Sequence, residues 1–291
     1  MIRSIISDLD GTLLNGVGEV SERSKKAILL CKEKGIDFVV ATGRDETSAF
    51  SLFEDGFVDA YILLNGSKMI ISNEVIWDCF LSNDTLIFLS NLLHQYHIPC
   101  IFFTDKGIVS TNAKKTQAQF EDALYRSGMS QKEIKQMLSS DAFGSYYAEM
   151  DDVSQLIQEH YIVYKCEFYA PNEEIYQQLC AQIKENDEVS IAGWISLNIE
   201  CTNKKANKGD ALQRYLQIKN LKKEEVLVCG DSMNDASMMK IVPYSVAMKN
   251  ASASIQTIAT YTLAFSNRED GVAYIMEELL ERYGDYNGIK K

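Results

Sequence analysis

The sequence predicts an α/β protein, a doubly wound parallel sheet with an α+β unit inserted into it, and three features carry that prediction. Over residues 1–80, short apolar runs alternate with amphipathic segments, the pattern of parallel strands joined by crossover helices. From about residue 83 this grammar changes to helices interleaved with paired strands. After residue 190 the first grammar returns, with an apolar run at 226–229 that stops at Gly230-Asp231. The sheet domain is therefore assigned to 1–82 and 192–291, and the inserted unit to 83–191.

The elements follow in order. Residues 4–6 form a strand leading into Asp8; Ser21 is placed as a helix N-cap, Glu22 suits the first turn, Ala27, Ile28 and Cys31 mark an apolar face, and Gly35 stands where a C-cap belongs. Strands are expected at 36–41 and 61–64, followed by Asn65-Gly66 and a hairpin of 68–71 with 74–77. The insertion should hold a helix at 85–96, strands at 100–103 and 108–110, two or three helices and a strand at 162–169. A helix begins near Lys208 and a strand covers 245–248. Val272, Ile275, Met276, Leu279 and Leu280 fall on one face of a C-terminal helix, with a frayed tail from Gly284.

Composition narrows the function. The 291 residues carry 41 acidic and 29 basic side chains, a net charge of −12, which argues against a phosphate-tracking nucleic-acid surface. At 46% hydrophobic and 24% charged, the chain has the make-up of an ordinary globular protein. Its N-terminus lacks the apolar stretch of a signal peptide and no run is long enough for a membrane span, so the expected compartment is the cytoplasm. The seven cysteines are scattered without a CxxC pair and are read as reduced core residues rather than a disulfide framework. Nothing points to an obligate protein partner.

Four strings carry chemistry. Asp8-Leu9-Asp10-Gly11-Thr12 follows a strand; in extended backbone side chains two apart share a side, so Asp8 and Asp10 should present their carboxylates together at the strand's carboxyl end, where open α/β sheets bind ligands. Two such carboxylates repel unless a cation, a proton or a helix terminus compensates. Ala41-Thr42-Gly43-Arg44 offers a hydroxyl and a glycine amide as an anion cradle. Lys208 begins a helix, a place the macrodipole disfavours for a cation unless an anion lies near. Gly230-Asp231-Ser232-Met233-Asn234-Asp235 again sets carboxylates after a strand; Asp8, Asp10, Asp231 and Asp235 are candidate oxygen donors for a hard divalent cation, while Asn234 or Asp235 also reads as a helix N-cap. A nucleophile, an acid–base partner, anion donors and metal-binding carboxylates together suggest phosphoryl transfer.

These strings, with LLNG at 63–66, KGDAL at 208–212, VAMKNA at 246–251 and EDGVA at 269–273, make the chain resemble the haloacid dehalogenase superfamily, and within it the Cof-type phosphatases with a type IIB cap. The resemblance implies a Rossmann-like core and an α/β cap between the second and third motifs, closing over the site to choose the substrate. It implies Asp8 as nucleophile and Asp10 as general acid and base. Thr42, Lys208, Asn234 and the amides of Leu9 and Gly43 would bind the phosphoryl group. Mg²⁺ would be held by Asp8, Asp231 and the Asp10 main-chain carbonyl. Asn65 and Asn250 match positions near the site. The chain departs from the pattern at Lys205, at Val242-Pro243 and at Thr260, none of which removes a required group.

The resulting expectation is a Mg²⁺-dependent phosphatase acting on a small phosphorylated metabolite, a sugar phosphate first, with pyridoxal phosphate or flavin mononucleotide as further classes. A phosphomutase on the same scaffold and a silent phosphometabolite-binding protein stay open, and dehalogenation fits the residues less well. In the insertion, His94 and His97 read as a surface pair, and Tyr146, Tyr147, Tyr164, Phe168 and Tyr169 as core or pocket aromatics. Glu149, Asp151 and Asp152 read as a solvated helix start.

Overall fold

A computed structural model describes residues 1–138, 148–193 and 195–286. The chain divides into two compact units, Met1–Asp78 with the chain from Asn207 onward, and Cys79–Ala206.

In the first unit, β1 (Ser4–Ser7) is flanked on one side by β2 (Asp37–Ala41), then β3 (Ala60–Leu63), β4 (Lys68–Ile71) and β5 (Glu74–Asp78). On its other side run β12 (Val226–Gly230), β13 (Tyr244–Ala247) and the two-residue β14 (Tyr261–Thr262). Pairing is parallel from β14 through to β3, with Ser4 opposite both Val226 and Asp37, and antiparallel from β3 through β5. Every residue of β1 and of β12 is buried, as expected of central parallel strands covered on both faces. The strand order runs outward in both directions from the β12–β1 pair. Such a reversal opens a crevice at the strands' carboxyl ends, and Asp8 and Asp231 both stand there.

Local sequence explains the helices around this sheet. Helix α1 (Glu22–Glu33) is capped by Ser21, whose side chain accepts the Ser24 amide, and Gly35 at φ +73 ends it one residue beyond the Lys34 C-cap. Helix α2 (Glu46–Phe50) is capped by Asp45 through the Ser48 amide, and α8 (Lys208–Ile218) by Asn207 through the Asp210 amide. Leu64 leaves β3 and enters a tight turn in which Asn65 is left-handed at φ +59. Gly66, at φ +102, lets this turn meet the start of α8, since a Cβ there would lie 2.4 Å from the Asn207 carbonyl oxygen. Helix α11 (Gly271–Tyr286) carries the expected apolar stripe and continues through Gly284, where a frayed tail was expected; residues 287–291 lie outside the described ones.

The second unit holds a sheet ordered β10–β11–β9–β6–β7–β8. Its elements are α3 (Asn83–Gln95), β6 (Ile101–Thr104), β7 (Gly107–Ser110), α4 (Ala113–Arg126), α5 (Gln131–Leu138), β8 (Ala148–Glu149) and α6 (Val153–Gln158). There follow β9 (Val163–Tyr169), α7 (Glu173–Ile183), β10 (Val189–Ala192) and β11 (Asn198–Asn203). Strand β11 pairs antiparallel with β9 and β10, which carries this unit to Ala206 rather than to 191. The reason is compositional: β11 reads NIECTN, and its buried Asn198, Glu200 and Thr202 show no apolar run. Their polarity is absorbed by a buried network in which Lys165 contacts Glu167 at 3.2 Å and Glu200 at 2.8 Å, while Glu167 also accepts from the Tyr169 hydroxyl and the Asn198 amide.

Tyr164, Phe168 and Tyr169 are buried residues of this unit; Tyr146 and Tyr147 lie outside the described residues. Asp152 caps α6 through the Ser154 amide, whereas Glu149 belongs to β8 and accepts the Ala113 amide. His94 and His97 are exposed, their rings 6.3 Å apart, and among the described residues no metal-ligand group includes them. All seven cysteines are buried. Among the described residues no helix is long and apolar enough to cross a membrane.

Candidate active site

The site is built on the two strand ends that meet at the topological reversal. Past β1 the chain keeps Asp8 extended, then makes a wide turn in which the Leu13 and Leu14 amides reach back five residues to the carbonyls of Asp8 and Leu9. Gly11 makes the turn possible. Its φ is +79, and a Cβ at this position would lie 2.4 Å from Asp231 Oδ2, so the turn can approach the second strand end only because that side chain is missing. Gly11→Ala is therefore expected to cost about 1–3 kcal/mol of stability and to weaken activity by displacing Asp231. Urea unfolding read beside turnover checks both.

Around this turn the side chains interlock. Thr12 Oγ1 donates to Asp231 Oδ1 at 3.1 Å, and Asn250 Nδ2 donates to the Gly11 carbonyl at 2.8 Å while its Oδ1 accepts the Asn267 amide. Lys208 is fully buried and its Nζ donates at 2.7 Å to both Asp8 Oδ1 and Asp235 Oδ1. A cation at the start of α8, unfavourable by the macrodipole alone, is thus compensated by two carboxylates. Asp235 is itself fully buried, and its Oδ2 accepts the amides of Asp231 and Ser232 at 2.9 and 3.1 Å, which fixes the loop after β12.

The electrostatics follow from three carboxylates sharing one ammonium. Burial raises the Asp8 carboxyl well above its ordinary range; Lys208 opposes this, while Asp235, Asp231 and Asp10 add to it. Asp231 is pushed up to about 6, first by burial and then by Asp235, with the Thr12 hydroxyl and Lys208 countering. Lys208 is held above its ordinary value because Asp235 and Asp8 overcome the opposing effect of burial.

On the opposite side, Thr42 is buried at the end of β2 and its Oγ1 accepts the Arg44 amide at 3.1 Å. Gly43 faces Asn65, whose Oδ1 would be 3.0 Å from a Cβ placed there. The same Asn65 Oδ1 accepts Asn234 Nδ2 at 3.1 Å, and Ser232 Oγ donates to Asn234 Oδ1 at 2.6 Å. Asn65 and Asn234 thus tie the loop after β3 to the loop after β12.

A family model described as haloacid dehalogenase-like hydrolase matches residues 5–276. The chain belongs to that family. Among curated relatives, this hydrolase is 27% identical to the Bacillus subtilis phosphatase YwpJ, over 96% of its own length and all of the relative's. It is 28% identical to the 5-amino-6-(5-phospho-D-ribitylamino)uracil phosphatase YcsE of the same organism, over 94% of its length and 93% of the relative's. Among solved structures, a haloacid dehalogenase-like hydrolase from B. subtilis superimposes with a TM-score of 0.85 at 26% identity, over 96% of this chain and all of that one.

In this hydrolase Asp8, Lys208, Asp231, Asp235 and Thr12 form one connected group, and Thr42, Gly43, Asn65 and Asn234 a second. Leu9 is buried at the start of the turn. The Asp10 carboxylate turns to Arg44, yet lies near enough to Asp8 to add to the rise of its pKa. The backbone kinks at Asp10 and Gly11, the Asp10 side chain is more than half exposed, and both its oxygens accept from Arg44. The cluster whose oxygens lie within 4.8 Å of one another is Asp8, Asp231 and Asp235, without the Asp10 side chain; the donor expected of Asp10 was its main-chain carbonyl. The trio fits a hard divalent cation in donor type and in its excess of negative charge. Because Asp235 already accepts three hydrogen bonds, Asp8 and Asp231 are the better-placed donors. Sequence reasoning gave Thr12 and Arg44 no role. Both lie inside the quoted motifs, and each offers a donor next to a carboxylate-bearing segment, the signal that could have found them. Lys205 is exposed, Val242 is buried in the apolar core, and Thr260 meets Ser245, so none of the sequence departures joins the site.

Proposed function

We propose that this hydrolase is a Mg²⁺-dependent phosphatase of small phosphorylated metabolites that works through an aspartyl phosphate on Asp8. The observation that carries the reading is the buried Asp8 carboxylate at the topological reversal, hydrogen-bonded to Lys208 and beside Asp231. In the first step an Asp8 oxygen attacks phosphorus, the bond to the ester oxygen breaks, and Asp10 gives that oxygen a proton. In the second, Asp10 takes a proton from water as the water oxygen attacks the same phosphorus, freeing inorganic phosphate and restoring Asp8. Lys208, Thr42, Asn234 and the amides of Leu9 and Gly43 neutralise the transferring group. Asp8 and Asp231, with the Asp10 carbonyl, would hold Mg²⁺, which supplies positive charge against the phosphoryl oxygens.

The favoured substrate class is a primary phosphate on a sugar or polyol chain, in line with the phosphoribitylamino compound in the name of YcsE. Release of phosphate from sugar phosphates, polyol phosphates, flavin mononucleotide and pyridoxal phosphate, with and without Mg²⁺, tests this. Mg²⁺-dependent release favouring sugar or polyol phosphates is expected. Release independent of metal, or an isomeric phosphate ester as product, would contradict it.

A pH prediction follows from the carboxylate cluster. Mg²⁺ binds ionised carboxylates, so below about 6 it must expel a proton from Asp231, and the raised Asp8 extends that competition upward. Calorimetric Mg²⁺ affinity should therefore rise from pH 5 to pH 8 by about tenfold or more. An affinity flat across that range would remove Asp231 from the ligand set.

A further inference from the structure

Arg44 makes a contact that the chemistry above leaves unexplained. Its Nε donates to Asp10 Oδ2 at 2.8 Å and its Nη2 to Asp10 Oδ1 at 2.7 Å, a two-pronged grip. The guanidinium side chain is only 10% exposed, whereas Asp10 is 57% exposed. The Arg44 end of the contact is anchored by two elements: its amide donates to Thr42 Oγ1 at the end of β2, and its Nη1 donates to Ser48 Oγ in α2 at 3.3 Å. Asp10, by contrast, sits on the kinked turn beside left-handed Gly11, where nothing in the backbone fixes the plane of its carboxylate. An ion pair with one exposed partner contributes little to stability. A nearly buried arginine held by two elements and spent on an exposed carboxylate is better explained by orientation.

We infer that Arg44 is the positioning residue for Asp10, fixing by both oxygens the carboxylate that serves the leaving-group oxygen. The inference rests on the phosphatase reading. Its consequence for the first step falls on one bond: when the ester oxygen leaves, it takes the proton from Asp10, and a misoriented Asp10 slows that step only for leaving groups that need the proton; hydrolysis of the aspartyl phosphate, where Asp10 acts as base, is common to all esters and does not enter kcat/KM. Phenolate needs it; 4-nitrophenolate, a stable anion, needs it far less. Lysine, a point charge, cannot grip both oxygens.

The test compares phenyl phosphate with 4-nitrophenyl phosphate, esters of the same ring, for wild type, Arg44→Met and Arg44→Lys, with urea midpoints to confirm that the variants fold. A positioned acid contributes about 100- to 10,000-fold, and both variants should forfeit a part of it: kcat/KM, which reports the first step alone, falls for phenyl phosphate by about 10- to 100-fold and for 4-nitrophenyl phosphate by less than about 3-fold. Equal losses for both esters would make Arg44 a phosphoryl-binding or structural residue and overturn the inference. So would unchanged turnover, or a lysine variant matching wild type on phenyl phosphate. Wild type inactive on both esters would instead overturn the phosphatase reading, and the inference with it.

Discussion

Asp8→Asn should lower phosphate release by about 10,000-fold or more while leaving the fold intact. The amide keeps the shape of the carboxylate but cannot attack phosphorus, so the covalent step disappears. Stability should not fall with it. Asp8 is one of three carboxylates sharing Lys208, and burial with repulsion from Asp235 and Asp231 already raises its pKa. Neutralising it relieves that repulsion and leaves the Lys208–Asp235 pair at 2.7 Å in place. In the metal-free protein the variant should melt at the temperature of wild type or above it. Turnover above about a tenth of wild type would place the nucleophile elsewhere.

Lys208→Met carries the largest expected stability loss. The side chain is fully buried between Asp8 and Asp235, so its removal strands two buried carboxylates without a counter-charge, at a cost of about 3–5 kcal/mol near neutral pH. The pH dependence has a definite sign. Burial already holds the Asp8 carboxyl above its unfolded value, and without Lys208 it loses the charge that opposes this, so the folded state binds more protons than the unfolded one and stability falls as pH rises through that range. The gap between variant and wild type should therefore narrow from pH 8 to pH 5. Urea unfolding at the two values reads it directly, and a gap independent of pH would mean that lost packing, not stranded charge, accounts for the cost. Turnover should fall too, since the same ammonium is assigned to the phosphoryl group.

The sequence made some of this site legible because strand ends announce themselves. Asp8 and Asp231 each follow a buried apolar strand, and parallel strands that alternate with helices bring such ends to one edge. Lys208 was legible through its unfavourable place at a helix start, which only neighbouring anions could compensate. Asp10 was harder. Spacing by two predicts a shared side in extended backbone, but the chain leaves that conformation at Leu9, directly after extended Asp8, so the grip of Arg44 on Asp10 could not be read from either segment alone. Strand β11 escaped for a different reason: Ile199 and Cys201 face the apolar core, but they alternate with Asn198 and Glu200, which are buried as well and paired with Glu167 and Lys165, so no apolar run announces the strand. The roles of Asn65 and Asn250, left indefinite by sequence, resolve into hydrogen bonds that brace neighbouring loops, one through Asn234 and the other through the Gly11 carbonyl.

The central claim is that phosphoryl transfer passes through Asp8. It is tested most directly by acid-quenched turnover in ¹⁸O-water with Mg²⁺ present, followed by peptide mapping of the protein and mass analysis of the released phosphate. A transient phosphoryl group on the peptide carrying Asp8 and one ¹⁸O atom in each phosphate released are expected. A phosphoryl group on any other residue would contradict it, as would Asp8→Asn protein that still releases ¹⁸O-labelled phosphate at the wild-type rate.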